Sequence, residues 1–364
     1  MFSGRRIRQA RELRRLTQTE LAKKVGVGQS AIAHVESEFK NPSRSLITKI
    51  AMHTQLPVSF FTTDPLTEFP VQSLLFRAKA AMTKRDAAEA SRYAELLNEM
   101  AEKMAAHLTQ IPLTIPTSIG DPTSAAKQTR LALQIPPDEP VPHLMNAMER
   151  AGVLILALPA PLAGRDAFTV WIERKTMPLP AIAISRNRPG DRLRLSLAHE
   201  LGHVAMRHLP RLDPDQEKSA YTFAAELLMP EAAMRREISN PITLSSLAVL
   251  KPRWRVSIQA LIRRAYDLHL VAERQYRYLF EQVAIKGWRI KEPPNLDVPI
   301  EKPRGLRQMA ELIYGRQIDY ERMAADLHLS PAFLRQALQE YAEAPDAAEG
   351  RPTSARNVIS FAKP

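Results

Sequence analysis

Apolar residues recur every three or four positions through most of the chain, a spacing that places them on one face of a helix. In residues 1–65 this pattern predicts five short helices, the last two of which follow Pro42 and Pro57. Thr17 and Glu20 form a capping box before the second helix, and Gly26 provides the turn that ends it. A short helix, a tight turn and another short helix form a helix-turn-helix pattern.

The residues of this pattern resemble the XRE/Cro-type helix-turn-helix domain. The resemblance lies in "RELRRLTQTELAKKVGVGQSAIAHVESEFKNPS", residues 11–43, and in the "LITKIA" that follows. It implies a lambda-repressor-like domain of five helices over residues 1–65. It also implies that the partner is a double-stranded DNA operator and that the protein works as a homodimer on symmetric sites. A small helical bundle that contacts only protein is the alternative.

The same resemblance assigns the DNA contacts. It implies that Gln18 touches a phosphate and that Lys40 and Arg44 lie near the DNA backbone. The side chains that would meet base edges, on the exposed face of the third helix, are Gln29, Ser30 and His34. The chain departs from the family where a glycine usually follows the third helix. Ser37-Glu38-Phe39 stands there, which leaves the conformation of the next loop open.

The charge distribution agrees with a nucleic-acid partner. The chain has a formal net charge of +12, and residues 1–64 hold eleven Lys and Arg against five Asp and Glu. A basic segment of this kind is the electrostatic footprint of a DNA-binding domain. A solvated basic surface would give the same count, so the charge supports the motif without replacing it.

The middle of the chain changes from helical to mixed patterning. Residues 66–123 predict a helical connector, mostly one long helix within 66–110, and then a proline-rich linker. Beyond residue 124, short apolar runs predict three buried strands, over 153–158, 168–172 and 181–184. A helix that contains His-Glu-x-x-His follows them directly. The fold class that we predict is therefore α+β and mostly helical.

The helix after the third strand carries candidate metal chemistry. His199 and His203 are four residues apart, so both imidazoles can reach one metal ion, and Glu200 can contact a water bound to that metal. Because the chain has no cysteine, further ligands must be histidines or carboxylates. Two carboxylates of the next helix, Glu217 and Glu226, are candidates for a third ligand. His208 is a third candidate, but a continued helix would rotate it about 140° away from His203.

The segment around this helix resembles the ImmA/IrrE family of zinc metallopeptidases. The resemblance lies mainly in "RLRLSLAHELGHVAMRH", residues 192–208, and "EKSAYTFAAELLMP", residues 217–230. It implies a zincin-like domain over 124–293. It selects Glu217 as the third ligand of a Zn²⁺ ion, beside His199 and His203, and gives Glu200 the role of general base. It also implies a peptidase that cuts a repressor-type protein.

Two further assignments concern the substrate pocket and the end of the chain. Tyr221 and Arg253 are candidates for the donor that stabilises the oxyanion. Residues 294–342 predict a helical C-terminal subdomain. Within it, residues 323–334 could form a second helix-turn-helix, although the balanced charge favours a packing role. Residues 343–364 are expected to be disordered.

Together these features predict a cytoplasmic transcriptional regulator that joins a DNA-binding domain to a zinc peptidase. No apolar run predicts a signal peptide or a membrane span. One alternative is a DNA-binding repressor whose peptidase-like domain is a non-catalytic sensor or dimerisation platform. The other is an enzyme whose N-terminal domain grips a repressor instead of DNA.

Overall fold

The computed structural model describes residues 2–66, 83–109, 112–117, 120–159, 167–172, 179–185, 189–208 and 213–342. The chain forms two compact units. The first unit contains Met1–Gln110, Ile155–Arg165 and Pro303–Pro364, and the second contains Ile111–Leu154 and Asp166–Lys302. The predicted disorder of residues 343–364 lies outside the described residues. The domain boundaries that we read from the sequence stay a prediction.

The first unit begins with four α-helices: α1 (Gly4–Leu13), α2 (Gln18–Val25), α3 (Gln29–Glu36) and α4 (Arg44–Thr54). The predicted capping box of Thr17 and Glu20 is present at the start of α2, and Gly26 ends α2 in the left-handed conformation. The fifth predicted helix, after Pro57, is present as a short 3-10 helix. It spans Val58–Thr62, and the Phe60 N–H donates to the Pro57 carbonyl.

The connector contributes one long helix to this unit, α5 (Lys84–Ala105). The part of the predicted connector helix over residues 67–82 lies outside the described residues. Buried polar side chains join α5 to α1. Arg6 Nη2 lies 2.6 Å from Glu99 Oε1, and Gln9 Nε2 lies 2.9 Å from Glu95 Oε2. These contacts fix α5 against the helix-turn-helix domain.

Three C-terminal helices complete the first unit: α14 (Gly305–Tyr314), α15 (Tyr320–Leu327) and α16 (Pro331–Gln339). Phe333 packs on Tyr93 of α5, with ring centroids 5.1 Å apart, and Lys103 Nζ lies 3.3 Å from the Leu327 carbonyl oxygen. The turn before α16 resembles the α2–α3 turn, because His328 adopts the left-handed conformation there. The contacts of this C-terminal segment with α5 agree with the packing role that its balanced charge favours.

The second unit carries the His-Glu-x-x-His helix and two of the three strands; from Ile155 onward, the first strand is grouped with the first unit. The three predicted strands are present as β1 (Leu154–Leu158), β2 (Ala167–Ile172) and β3 (Leu179–Ser185). Strands β2 and β3 pair antiparallel, from Ala167 opposite Ile184 to Ile172 opposite Leu179. The helices of this unit are α6 (Pro122–Ala132), α7 (Leu144–Arg150), α8 (Gly190–Ala205), α9 (Pro214–Leu228), α10 (Glu231–Glu237), α11 (Leu244–Trp254), α12 (Ile258–Asp267) and α13 (Glu273–Ile285).

Buried ion pairs hold the first half of α8. Lys251 Nζ lies 2.6 Å from both Asp191 Oδ2 and Glu292 Oε2, and all three residues are buried. One turn further along, Arg194 pairs with Glu301. Glu292 and Glu301 both belong to the segment that follows α13. This segment therefore anchors the helix that carries the two histidines.

Replacing Lys251 with Met is expected to lower the free energy of unfolding by about 3–5 kcal/mol, because it leaves Asp191 and Glu292 buried without their cation. Burial lowers the pKa of Lys251, but hydrogen bonds to the two carboxylates outweigh burial and raise it. The stabilisation is therefore present below the pKa of an unfolded lysine and is lost as pH rises through the folded pKa. Urea unfolding of wild type and Lys251→Met measures this stabilisation.

The matched control is Lys127→Met, which removes an exposed lysine of α6. We expect this variant to unfold within about 0.5 kcal/mol of wild type. An equal, small loss of stability in both variants would contradict the structural role of Lys251.

None of the helices in the described ranges is long and apolar enough to cross a lipid bilayer.

Candidate metal centre and DNA-binding surface

The two histidines of α8 and a carboxylate of α9 meet in a small triangle of ligand atoms. His199 Nε2 and His203 Nε2 are 3.1 Å apart. Glu217 Oε2 lies 3.2 Å from His199 Nε2, and Glu217 Oε1 lies 3.4 Å from His203 Nε2. Both histidines are buried, whereas one third of the Glu217 side chain is exposed. The triangle is therefore open on the side of the carboxylate.

The size and chemistry of this triangle fit a zinc ion. Ligand atoms about 2.0–2.1 Å from a tetrahedral zinc lie about 3.3 Å from one another, close to the three distances observed here. Two imidazoles and one carboxylate are ligands that zinc accepts, and they leave one position for water. Hydrogen bonding with the imidazoles of His199 and then His203 lowers the pKa of Glu217 well below its usual range, which favours the ionised carboxylate that a metal ion binds.

Two local features bring Glu217 over the histidines. Asp213 caps the start of α9 by accepting a hydrogen bond from the Asp215 N–H at 3.0 Å, so Glu217 lies in the first turn. Gly202 lets the two helices approach closely, because an added Cβ would lie 3.0 Å from the Phe223 ring. A helix that crosses α8 this closely can place its first turn against the buried imidazoles.

The other two candidates for a third ligand lie elsewhere. Glu226 is buried, pairs with Arg264 and faces the N–H of Glu231. His208 contacts His203 through the opposite nitrogen, with 2.9 Å between the two Nδ1 atoms. The rotation that we expected for His208 assumed a continuing helix, but α8 ends at Ala205 and the chain turns back. Burial, followed by the charge of His203, lowers the pKa of His208 to about 4.

The candidates for proton transfer and oxyanion stabilisation are placed differently. Glu200 is buried on α8 directly after His199. Tyr221 borders the metal group, because its ring centroid lies 4.2 Å from that of His199, and its side chain is exposed. Arg253 forms ion pairs with Glu237 and Glu139. Of the two oxyanion candidates, the structure places Tyr221 at the triangle.

In the first unit, a chain of hydrogen bonds links the predicted phosphate and base contacts. Gln29 Nε2 donates to Gln18 Oε1 at 2.7 Å, and Gln18 Nε2 donates to Glu36 Oε2 at 2.9 Å. Arg11 in turn holds Glu36 through two nitrogen atoms, at 2.6 and 2.9 Å. The two glutamines are therefore oriented by a buried ion pair before any ligand binds.

The remaining predicted DNA contacts are exposed on the same domain: Ser30, His34, Lys40 and Arg44. The loop that the sequence left open takes a defined shape. Glu38 adopts the left-handed conformation, with φ 61°, and its Oε1 accepts the Gly4 N–H at 3.1 Å. Phe39 beside it is 81% exposed, and its ring centroid lies 5.3 Å from that of His34. The helical spacing of the sequence did not predict that Phe39 contacts His34 of α3.

Part of the basic charge of this domain is internal. Arg6 and Arg11 are buried in pairs with Glu99 and Glu36. The exposed cations of α2, α3, α4 and their loops are Lys23, Lys24, Lys40, Arg44 and Lys49. The electrostatic footprint therefore rests on fewer cations than the sequence count indicates.

The fold contains a helix-turn-helix domain and a His-His-Glu group that could hold a metal ion. Residues 7–61 match the helix-turn-helix family, and residues 148–266 match the peptidase family described as the IrrE N-terminal-like domain. The chain thus joins an XRE-type DNA-binding domain to an ImmA/IrrE-type domain. The first match begins within α1 and includes α2, α3 and α4, and the second includes both histidines and Glu217.

Solved structures were also compared with this chain. One of the similar structures is Bacillus thuringiensis PlcR in complex with the peptide PapR7 and DNA, at 14% identity over 93% of this chain and 91% of that one. Its TM-score is 0.17, so this likeness carries no argument about fold or function. A search of the curated proteins finds no significant match.

Proposed function

We propose that this protein is a cytoplasmic transcriptional regulator whose ImmA/IrrE-type domain is a zinc endopeptidase that cleaves a repressor-type protein. The observation that carries the proposal is the triangle of His199, His203 and Glu217, with Glu200 next to it in the same buried helix. A structural zinc is usually enclosed by four protein ligands. Three ligands and a partly exposed carboxylate are typical of a catalytic zinc.

Each residue has a defined task in peptide hydrolysis. Zinc bound by the triangle would supply a Lewis acid and lower the pKa of a water molecule towards about 7. Glu200 accepts the proton of the attacking water and later donates it to the leaving amine. The ring of Tyr221 borders His199, and its hydroxyl would donate a hydrogen bond to the oxygen of the scissile carbonyl.

The DNA-binding part of the proposal assigns two kinds of contact. Gln29, Ser30 and His34 read base edges in the major groove, while Gln18, Lys40 and Arg44 hold the backbone. A homodimer would place two copies of α3 on a symmetric operator, one helical turn of DNA apart. Binding that weakens as salt rises would reflect the phosphate contacts.

The experiment incubates the full chain with purified helix-turn-helix repressors of the same host, in zinc and in a zinc chelator. We expect at least one repressor to be cut at a defined position in zinc and to stay intact in chelator. If every repressor stays intact while the protein holds zinc, the non-catalytic sensor describes it better.

A further inference from the structure

We propose that His208 is a positioning residue that fixes the proton of His203 on Nδ1 and so presents the Nε2 lone pair to the metal. The proposal rests on the metal site proposed above. It assigns a role to a histidine outside the ligand triangle, and it concerns how well the chain binds zinc.

The geometry separates the two nitrogen atoms of His203. Its Nε2 faces Glu217 Oε1 at 3.4 Å and His199 Nε2 at 3.1 Å, within the triangle. Its Nδ1 lies 2.9 Å from His208 Nδ1, a hydrogen-bond distance. His203 is only 2% exposed, so these neighbours decide where its proton resides.

The chain builds this contact through a turn at the end of α8. The Arg207 backbone adopts the left-handed conformation, with φ 53°, and the His208 N–H donates to the His203 carbonyl at 3.0 Å. Arg207 Nε also donates to Thr117 Oγ1 at 2.8 Å, which ties the turn to the segment before α6. This turn places the His208 ring against His203 of α8.

The proton position matters because His203 has two competing states. With its proton on Nε2, His203 donates a hydrogen bond to Glu217. His203 Nε2 and Glu217 Oε1 then bind each other and are not available to a metal ion. With its proton on Nδ1, His203 donates to His208, and the Nε2 lone pair is available to a metal. The Nδ1 acceptor on His208 stabilises the second state. His199 differs, since its buried Nδ1 has no hydrogen-bond partner within the described part of the chain.

The test measures zinc affinity by competition with a chromophoric chelator. His208→Ala is expected to bind zinc about 10- to 100-fold more weakly than wild type. His208→Asn, whose amide oxygen can accept the same hydrogen bond, is expected to remain within about 3-fold of wild type. His107→Ala removes an exposed histidine of the first unit and is expected to leave the affinity unchanged.

A second measurement separates positioning from folding. Thermal unfolding in excess chelator should give the same midpoint for wild type and His208→Asn, so the Asn variant can be interpreted even where the Ala variant unfolds. Wild-type zinc affinity in His208→Ala would overturn the proposal, and so would a loss in His208→Asn as large as in the Ala variant. A wild-type protein that binds no zinc would overturn the metal site itself, and this proposal with it.

Discussion

Replacing Glu200 with Gln is expected to leave zinc binding intact and to lower the rate of repressor cleavage by about 10²- to 10⁴-fold, the usual contribution of a general acid–base. The change keeps the size of the side chain, and Glu200 is not one of the three clustered ligand residues. It removes only the group that accepts the proton of the attacking water. The expected signature is a fall in the single-turnover rate constant of cleavage without loss of metal.

The measurement is single-turnover cleavage at saturating protein, together with the zinc content of each sample. Glu273→Gln is the matched control, because Glu273 is an exposed carboxylate at the start of α13. The control should cleave at the wild-type rate. Cleavage by Glu200→Gln at the wild-type rate would exclude Glu200 from the mechanism. Loss of zinc from Glu200→Gln would instead show that Glu200 contributes to metal binding.

The double variant Gln29→Ala, Ser30→Ala is expected to lose specific DNA binding while the domain stays folded. Both side chains are exposed at the start of α3, so their removal leaves the core unchanged. One lost bidentate base contact weakens binding by about 1–3 kcal/mol, or roughly 5- to 150-fold. The variant also removes the Gln29 donor that orients Gln18. Phosphate contacts should preserve the non-specific affinity.

Fluorescence anisotropy checks this prediction on duplexes that the wild-type protein selects from a random pool, and on scrambled duplexes. Met52→Ala is the matched control, since Met52 is an exposed residue of α4 in the same domain. Equal affinities of the double variant and wild type for the selected duplexes would exclude α3 as the reading helix. A thermal midpoint that falls only in the double variant would show a folding defect instead.

The sequence predicts well the elements whose signals are local. The capping box of Thr17 and Glu20, the left-handed Gly26 and the apolar spacing define α2 and α3 without any distant contact. The three strands follow from short apolar runs in the same way. The histidine pair on α8 is predictable for the same reason, because a separation of four residues fixes the relation of two side chains on a helix.

Local sequence signals do not predict contacts between residues that are distant in the chain. Arg6 meets Glu99 and Lys251 meets Asp191, and neither pair is marked by the spacing of the sequence. For this reason, a count of charges cannot tell a buried arginine from one that faces DNA. The grouping of residues 303–342 with the first unit depends on such contacts as well.

Two chain reversals show how a local departure from a pattern is compensated. A side chain in the left-handed conformation costs about 1 kcal/mol relative to glycine. At Glu38 this cost is offset by the hydrogen bond from the Gly4 N–H, which caps α1. At Arg207 this cost is offset by the hydrogen bond to Thr117. The turn places His208 within hydrogen-bond distance of His203. Helical spacing alone could predict neither contact.

Zinc stoichiometry tests the central claim most directly, namely that a helix-turn-helix protein carries a zinc site formed by His199, His203 and Glu217. The measurement is elemental analysis of the purified full chain after exposure to zinc and removal of unbound metal, for wild type and for the variant His199→Ala, His203→Ala. We predict one zinc per chain in wild type and none in the variant. A wild-type protein without zinc, or a variant that retains a full equivalent, would contradict the account.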